Sequence, residues 1–151
     1  MQGGDEEENA AALKFGKDFD GVHCLTNAEV AVILSRQKTV NQKHDINVTS
    51  TFSKTMAYVT RYGGSEDMQA IFAATSELRE ALQNFEGGHD GKTVRLHQFE
   101  IASLGNLMQA DSTAEEAIAL VPSLGNKFDE DEIEAILDII KKNHHQARLY
   151  G

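Results

Sequence analysis

Apolar residues recur along most of the chain at the spacing of three and four residues that marks one face of an α-helix. Thr26 and Glu29 open the first such segment with the pattern of a capping box, in which each side chain accepts a hydrogen bond from the other residue's backbone N–H. Leu25, just before the cap, pairs with an apolar residue beyond it as a hydrophobic staple. We predict a helix from about Asn27 to Lys38. Its apolar stripe comprises Val30, Ile33 and Leu34.

Two more helices are predicted in the middle of the chain, separated by the glycine pair Gly63 and Gly64. The later helix has Ser65 as its predicted N-cap and ends at the EGGHDG stretch, residues 86–91, which we interpret as a flexible turn. The earlier helix has apolar positions at Phe52, Met56 and Val59, with Tyr58 and Tyr62 on an adjoining stripe. The apolar face of the later helix comprises Met68, Ile71, Phe72, Leu78, Leu82 and Phe85.

A buried helix is predicted over residues 96–107. It contains Gly105, where the close approach of another helix would explain the missing side chain. Ser112 and Glu115 offer a second capping box for a short helix that Pro122 ends.

The last predicted helix begins with a third capping box, formed by Asp129 and Glu132, and a staple of Phe128 with Ile133. Acidic residues in its first turn and basic residues in its last turn follow the order that the helix dipole favours. We expect it to end near Asn143. The residues expected in the core of the C-terminal half are Phe99, Leu104, Leu107, Ile118, Leu120, Ile133 and Leu137.

The N-terminal residues lack a helical pattern. Residues 1–12 are acidic with little to anchor them, which indicates a disordered tail. From Leu13 to Phe19, apolar and polar residues alternate, which favours an extended arm with a short strand. Such a strand would dock on helices of this chain or extend a sheet of another protein. We divide the chain into a tail (1–12), an arm with the first helix that docks on a partner (13–40), a helical bundle (41–143) and a C-terminal tail (144–151).

Length, composition and charge exclude several classes of fold and of ligand. The chain has 151 residues, which suits one domain, and its single proline argues against a small all-β fold. Asp and Glu number 24 against 14 Lys and Arg, a net charge of -10, which disfavours direct binding to a phosphate backbone. One cysteine cannot form an internal disulfide, which suits the reducing cell interior. We find neither a signal peptide nor a membrane-spanning stretch.

No catalytic, metal-binding or cofactor-binding residues are predicted. His144 and His145 are adjacent, and neighbouring side chains on a helix diverge by about 100°, too far to chelate one ion easily. Cys24 stands beside His23, but sequence adjacency is not the spatial pairing that a thiolate nucleophile needs, so we expect a buried or half-buried thiol. The glycine pairs lack the spacing of a phosphate-binding loop.

Several stretches together resemble one family. They are LTNAEVAVILSRQ (25–37), FSKTMAYVTRY (52–62), LHQFEIASLGNL (96–107), TAEEAIALVPSL (113–124) and FDEDEIEAILDII (128–140). Their ordered combination is similar to the fourth-largest subunit of RNA polymerase II, over about residues 15–142. The glycine-rich stretches at 63–64 and 87–91 depart from that family's usual connections. The related subunit of RNA polymerase III and the archaeal stalk subunit share the domain type.

The resemblance implies an all-α fold, a helical bundle of the HRDC-like type preceded by the extended arm. It implies a non-catalytic, nuclear subunit, with shuttling to the cytoplasm as a further expectation. Its partners would be an OB-fold stalk subunit in a 1:1 heterodimer, the polymerase core, and transcription and RNA-processing factors. The alternatives are the polymerase III stalk subunit, a free-standing HRDC-like nucleic-acid-binding module and a small helical enzyme.

The surface expected to bind the stalk partner consists of the arm and the first helix, because a short helix needs an apolar surface to be stable. The competing interpretation is that these residues pack within the chain. The residues are Phe15, Phe19, Leu25, Val30, Ile33 and Leu34.

Overall fold

The computed structural model describes residues 7–62, 67–88 and 91–150, without the side chains of 147–150. The expectation of an all-α fold is confirmed. The helices are α1 (Asn27–Lys43), α2 (Ser50–Tyr62), α3 (Met68–Asn84), α4 (Gln98–Leu107), α5 (Ala114–Leu120) and α6 (Glu130–Tyr150). Two short strands, β1 (Glu86–Gly87) and β2 (Val94–Arg95), form an antiparallel pair between α3 and α4.

Two of the three predicted capping boxes form as expected. Thr26 Oγ1 accepts from the Glu29 N–H at 3.2 Å, and Glu29 Oε1 accepts from the Thr26 N–H at 3.0 Å. The box at the start of α6, between Asp129 and Glu132, is also complete.

The box predicted for α5 at Ser112 and Glu115 is wrong by one residue, because Thr113 and Glu116 form it instead. The Ser112 hydroxyl accepts from the Gln109 N–H, which stabilises the preceding turn.

Two helices are longer than predicted. Helix α1 continues beyond Lys38 to Lys43, where Asn41 is buried and accepts a hydrogen bond from Gln37 Nε2 at 2.9 Å. Helix α6 continues beyond Asn143 to Tyr150, so most of the predicted C-terminal tail is helical. The Gln37–Asn41 hydrogen bond joins two turns of α1, and Asn143 Nδ2 on α6 donates to the Ala74 carbonyl oxygen of α3 at 2.8 Å. Such contacts outweigh modest differences in helix propensity near a helix end.

The predicted breaker between α2 and α3 lies outside the described residues, as does Ser65. Helix α3 is capped by Asp67, whose carboxylate accepts from the N–H groups of Gln69 and Ala70.

The strand predicted between residues 13 and 19 is wrong. Only Lys14 makes an isolated bridge, to Asn9, and Lys17–Phe19 form a 3₁₀ helix. The positive φ of Leu13 and of Gly16 interrupts the extended backbone that a strand needs. Of the predicted tail, residues 1–6 are not described, and Ala10–Ala12 form another 3₁₀ helix.

The main hydrophobic core joins the end of α3 to α4, α5 and α6. Three of the expected core residues, Leu107, Ile118 and Leu120, are instead exposed. Helix α5 turns its small residues inward, since Ala114 and Ala117 are buried and carry no long side chain to keep the helix apart from α6. The large residues of α5 therefore lie on its outer face. The fully buried large side chains include Leu82, Ile101, Leu104, Met108, Leu124, Ile133, Ile136 and Ile140.

A buried carboxylate links α4 to the segment before α6. The side chain of Glu100 is fully buried, and its Oε2 accepts from the Ser123 hydroxyl at 2.7 Å. Its Oε1 accepts from Lys127 Nζ at 2.5 Å and from the His97 N–H at 2.8 Å. A buried charge with this many donors is compensated, so the contact fixes the segment that carries Ser123 and Lys127 against α4.

The first residues of the EGGHDG stretch are held in place by hydrogen bonds, whereas residues 89–90, in the middle of the predicted flexible turn, lie outside the described residues. Gly87 pairs with Val94, and the Gly88 N–H donates to Glu132 Oε1 at 2.6 Å. A Cβ built at Gly87 would lie 2.8 Å from the same carboxylate oxygen and 2.9 Å from the Phe128 ring. Glycine is therefore needed at position 87 for the hairpin to approach α6.

Arg79 on α3 joins helix α1 to the bundle through several hydrogen bonds. The Arg79 guanidinium binds both carboxylate oxygens of Glu29, at 2.7 and 2.6 Å, and also the Cys24 carbonyl oxygen at 2.7 Å and Gln98 Oε1 at 3.0 Å. Burial acts to raise the pKa of Glu29, but hydrogen bonds from Arg79 and Thr26 and the charge of Arg79 hold that pKa below its ordinary value. Glu29 is therefore ionised wherever the chain is folded at neutral pH.

We expect Glu29→Gln to lower the free energy of unfolding at pH 7 by about 2 kcal/mol, because the substitution leaves Arg79 without its charged acceptor. The folded-state pKa lies below 4.5, so the stabilisation from Glu29 is present above that pH and is lost as the pH falls through the folded-state pKa. Urea unfolding at several pH values measures both effects. Glu80→Gln, on the exposed face of α3, is the control and should change little. An equal effect of the two substitutions at pH 7 would contradict this role.

Glu100→Gln should cost more, about 3 kcal/mol, because it leaves Lys127 without its charged partner at a fully buried site. Glu100 also closes a capping box with His97 at the start of α4. Glu116→Gln is a matched control, since Glu116 closes a capping box with Thr113 on the exposed surface and its loss should cost about 1 kcal/mol or less. The midpoints of urea unfolding measure the loss of stability in the two variants, and we expect the lower midpoint for Glu100→Gln. Similar midpoints would show that the buried contacts of Glu100 add nothing to its cap.

Candidate partner-binding surface

The residues predicted to bind a partner lie on the segment before α1 and on its first two turns. Phe19, Leu25 and Ile33 are exposed, by 61%, 40% and 51%. Val30 and Leu34 are half-buried. Apolar side chains this exposed on an ordered segment are available to another protein.

The ring of Phe15 packs against aromatic side chains of this chain. Its ring lies 4.7 Å from the ring of Phe99 and 5.8 Å from that of His97, both at the start of α4. These contacts attach the arm to the bundle.

The N-terminus of α1 sits directly on α4. A Cβ built at Gly105 would lie 2.7 Å from Thr26 Cγ2, so the predicted close approach at this glycine is confirmed. The next residue, Asn106, accepts from the Asn27 N–H at 2.8 Å. The contacts with Gly105 and Asn106, together with those of Arg79, fix the direction in which the exposed side of α1 faces.

Exposed large apolar residues are concentrated in the N-terminal part of the molecule. Of the thirteen such residues in the described ranges, nine lie between Phe19 and Tyr62. The described residues of the main core all come from position 82 onward, so α1 and α2 add no side chain to it. The N-terminal part therefore carries most of the exposed large apolar side chains of the described residues, and exposed apolar patches are typical of surfaces that contact other molecules.

Sequence reasoning missed several exposed residues of this surface. Val22, 43% exposed, falls outside any periodic stretch. Phe72 was assigned to the apolar face of α3 but is 47% exposed, and the Arg36 guanidinium lies 4.6 Å above its ring. An aliphatic or aromatic residue on a helix has the same sequence signal whether the chain itself or a partner covers it.

The described residues contain no cluster suited to a metal ion, as no three His, Cys, Asp or Glu side chains come together there. Cys24 is half-buried, as predicted, and its Sγ lies 3.9 Å from the Val22 carbonyl oxygen. Within the described ranges, none of the helices combines the length and apolar character needed to cross a membrane.

Comparison with known proteins agrees with the motifs. The family model described as RNA polymerase Rpb4 matches residues 24–144. The chain is 34% identical to DNA-directed RNA polymerase II subunit 4 of Arabidopsis thaliana over 142 residues, 89% of this chain and 92% of that protein. It is 33% identical to DNA-directed RNA polymerase II subunit rpb4 of Schizosaccharomyces pombe over 135 residues, 87% of this chain and 88% of that protein.

A third relative, DNA-directed RNA polymerase II subunit rpb4 of Dictyostelium discoideum, is 32% identical over 150 residues, which cover 88% of this chain and 86% of that protein. The matched residues 24–144 include all six helices except the last turns of α6, together with the contacts of Glu29 and Glu100 described above. The resemblance found in the sequence motifs is thus confirmed. The chain belongs to the RNA polymerase Rpb4 family.

Proposed function

We propose that this chain is a non-catalytic subunit of RNA polymerase II, where it forms the stalk as a 1:1 heterodimer with an OB-fold subunit. The observation that carries the proposal is the exposed apolar side of the arm and α1, held in a fixed direction by Arg79 and Gly105. Family membership and the names of the relatives support the polymerase assignment. The proposed location is the nucleus.

In this proposal the OB-fold subunit binds RNA and this chain binds other proteins. The net charge of -10 makes this chain a poor ligand for a phosphate backbone, whereas an OB fold is suited to stacking single-stranded bases. RNA contact therefore falls to the partner, and this chain supplies the surfaces for initiation factors and RNA-processing factors. A subunit interface of ordinary size buries about 1,600 Å² in total.

A tagged pull-down from the source cells at moderate salt tests the polymerase assignment. The expected result is an equimolar OB-fold subunit together with the large subunits of RNA polymerase II, identified by mass spectrometry. Recovery of polymerase III subunits would instead assign the chain to RNA polymerase III. Recovery of the chain alone would contradict the proposal.

Ile33→Asp should weaken binding to the OB-fold subunit by about 30-fold, roughly 2 kcal/mol, because it places a charge within an apolar interface. Ile33 is 51% exposed, so the variant should keep its fold. Leu120→Asp is the matched control, since Leu120 on α5 is 55% exposed and lies outside the proposed interface. Isothermal titration calorimetry with the purified partner measures the affinity of each variant. Equal affinities of the two variants would refute this placement of the interface.

A further inference from the structure

A groove of about 970 Å³ lies between the C-terminal half of α1, the connection to α2 and one face of α2. It is separate from the surface assigned above to the stalk partner, which uses the arm and the first turns of α1. Apolar side chains of the connection and of α2 line much of it, and basic residues stand on α1 and α2. The lining includes Ile46, Val48, Phe52, Met56, Lys38 and Arg61.

The groove exists because α2 is thinly covered by the rest of the chain. Helix α2 packs mainly on α1, and Val59 is its one buried residue. In the connection, Ile46 is 54% exposed and Val48 is 43% exposed. Covering an exposed aliphatic side chain of this size with a docked segment contributes roughly 1 to 2 kcal/mol to the free energy of binding.

The charge around this groove is opposite to that of the molecule. Residues 30–62 hold five of the fourteen basic residues of the chain but only one of its twenty-four acidic residues, Asp45. Lys38 and Arg61 line the groove itself. The surplus of positive charge in an otherwise acidic protein favours a negatively charged ligand at this place, and it sets the chemistry of what binds.

We propose that this groove binds an acidic amphipathic helix of a partner protein. The apolar residues of such a helix, spaced three and four apart, occupy the floor formed by Ile46, Val48 and Met56. Its Asp and Glu side chains lie beside Lys38 and Arg61, which steer the encounter and fix the orientation. The proposal goes beyond the stalk heterodimer and holds whichever polymerase the chain serves.

A protein segment fits this groove better than single-stranded RNA does. Bases bind by stacking on aromatic rings, and Phe52 is the one aromatic residue among the described residues that line the groove, where Ile46, Val48 and Met56 are aliphatic. The exposed aromatic pair of α2, Tyr58 and Tyr62, has ring centroids 4.8 Å apart but does not line the groove. Apolar side chains of a helix are the ligands that an aliphatic floor covers best.

Fluorescence anisotropy with the full chain and designed peptides tests the proposal. The probe is a labelled amphipathic peptide of about 18 residues, with Leu on one face and Glu on the other, in about 0.1 M salt. A second peptide keeps every Leu and replaces each Glu with Lys. We expect the Glu peptide to bind at least tenfold more tightly than the Lys peptide and than a uridine oligonucleotide. Equal binding of the two peptides, or tighter binding of the oligonucleotide, would overturn the proposal.

Variants of exposed groove residues locate the binding. Ile46→Ser and the double substitution Lys38→Glu with Arg61→Glu should each weaken binding of the Glu peptide about tenfold. Leu120→Ser and Lys92→Glu, also exposed and outside the groove, are the matched controls and should bind as the original chain does. Thermal melts by circular dichroism check that every variant is folded.

The placement of the site is refuted if the groove variants bind the Glu peptide as well as the controls do. Ile33→Asp, which tests the stalk interface, should leave peptide binding unchanged. The outcomes for the two surfaces are therefore read separately.

Discussion

One guanidinium group joins the N-terminal half to two other helices by directional hydrogen bonds. Arg79 binds Glu29 on α1, the Cys24 carbonyl before α1 and Gln98 at the start of α4. Apolar packing also joins these helices, because Ala31, Val32, Val59 and Ile71 are buried, but none of these residues belongs to the main core. Directional hydrogen bonds to a charged partner define an orientation more sharply than apolar packing does. The contacts of Arg79, together with this packing and the contact of Thr26 with Gly105, thus fix which side of α1 faces outward.

The C-terminal half is stabilised differently. Its core is closely packed around α6, and the buried carboxylate of Glu100 joins α4 to Ser123 and Lys127. The molecule therefore combines a well-buried bundle with a helical hairpin, α1 and α2, that keeps much of its apolar surface exposed. This arrangement suits a subunit that acts through contacts, because the bundle can hold the hairpin in place while partners cover it.

Charge is divided between the same two parts. The overall charge of -10 argues against a phosphate-binding protein, yet residues 30–62 are locally basic. A net charge averages over surfaces that face in different directions, whereas a partner meets one surface at a time. The basic hairpin and the acidic remainder thus present surfaces of opposite charge.

The sequence by itself determined the presence of the helices and the starts of α1 and α6. Capping boxes and apolar periodicity are local, since they involve residues within four positions of each other, and those at Thr26 and Asp129 form as predicted. Only the tertiary structure decided which apolar residues are buried. Leu120 and Leu104 have the same helical signal, but α5 turns Ala117 inward and leaves Leu120 exposed. The roles of Arg79 and Glu100 were likewise absent from the sequence pattern, because their partners lie 50 and 27 positions away along the chain. Contacts over such separations depend on how the helices pack, which no local pattern records.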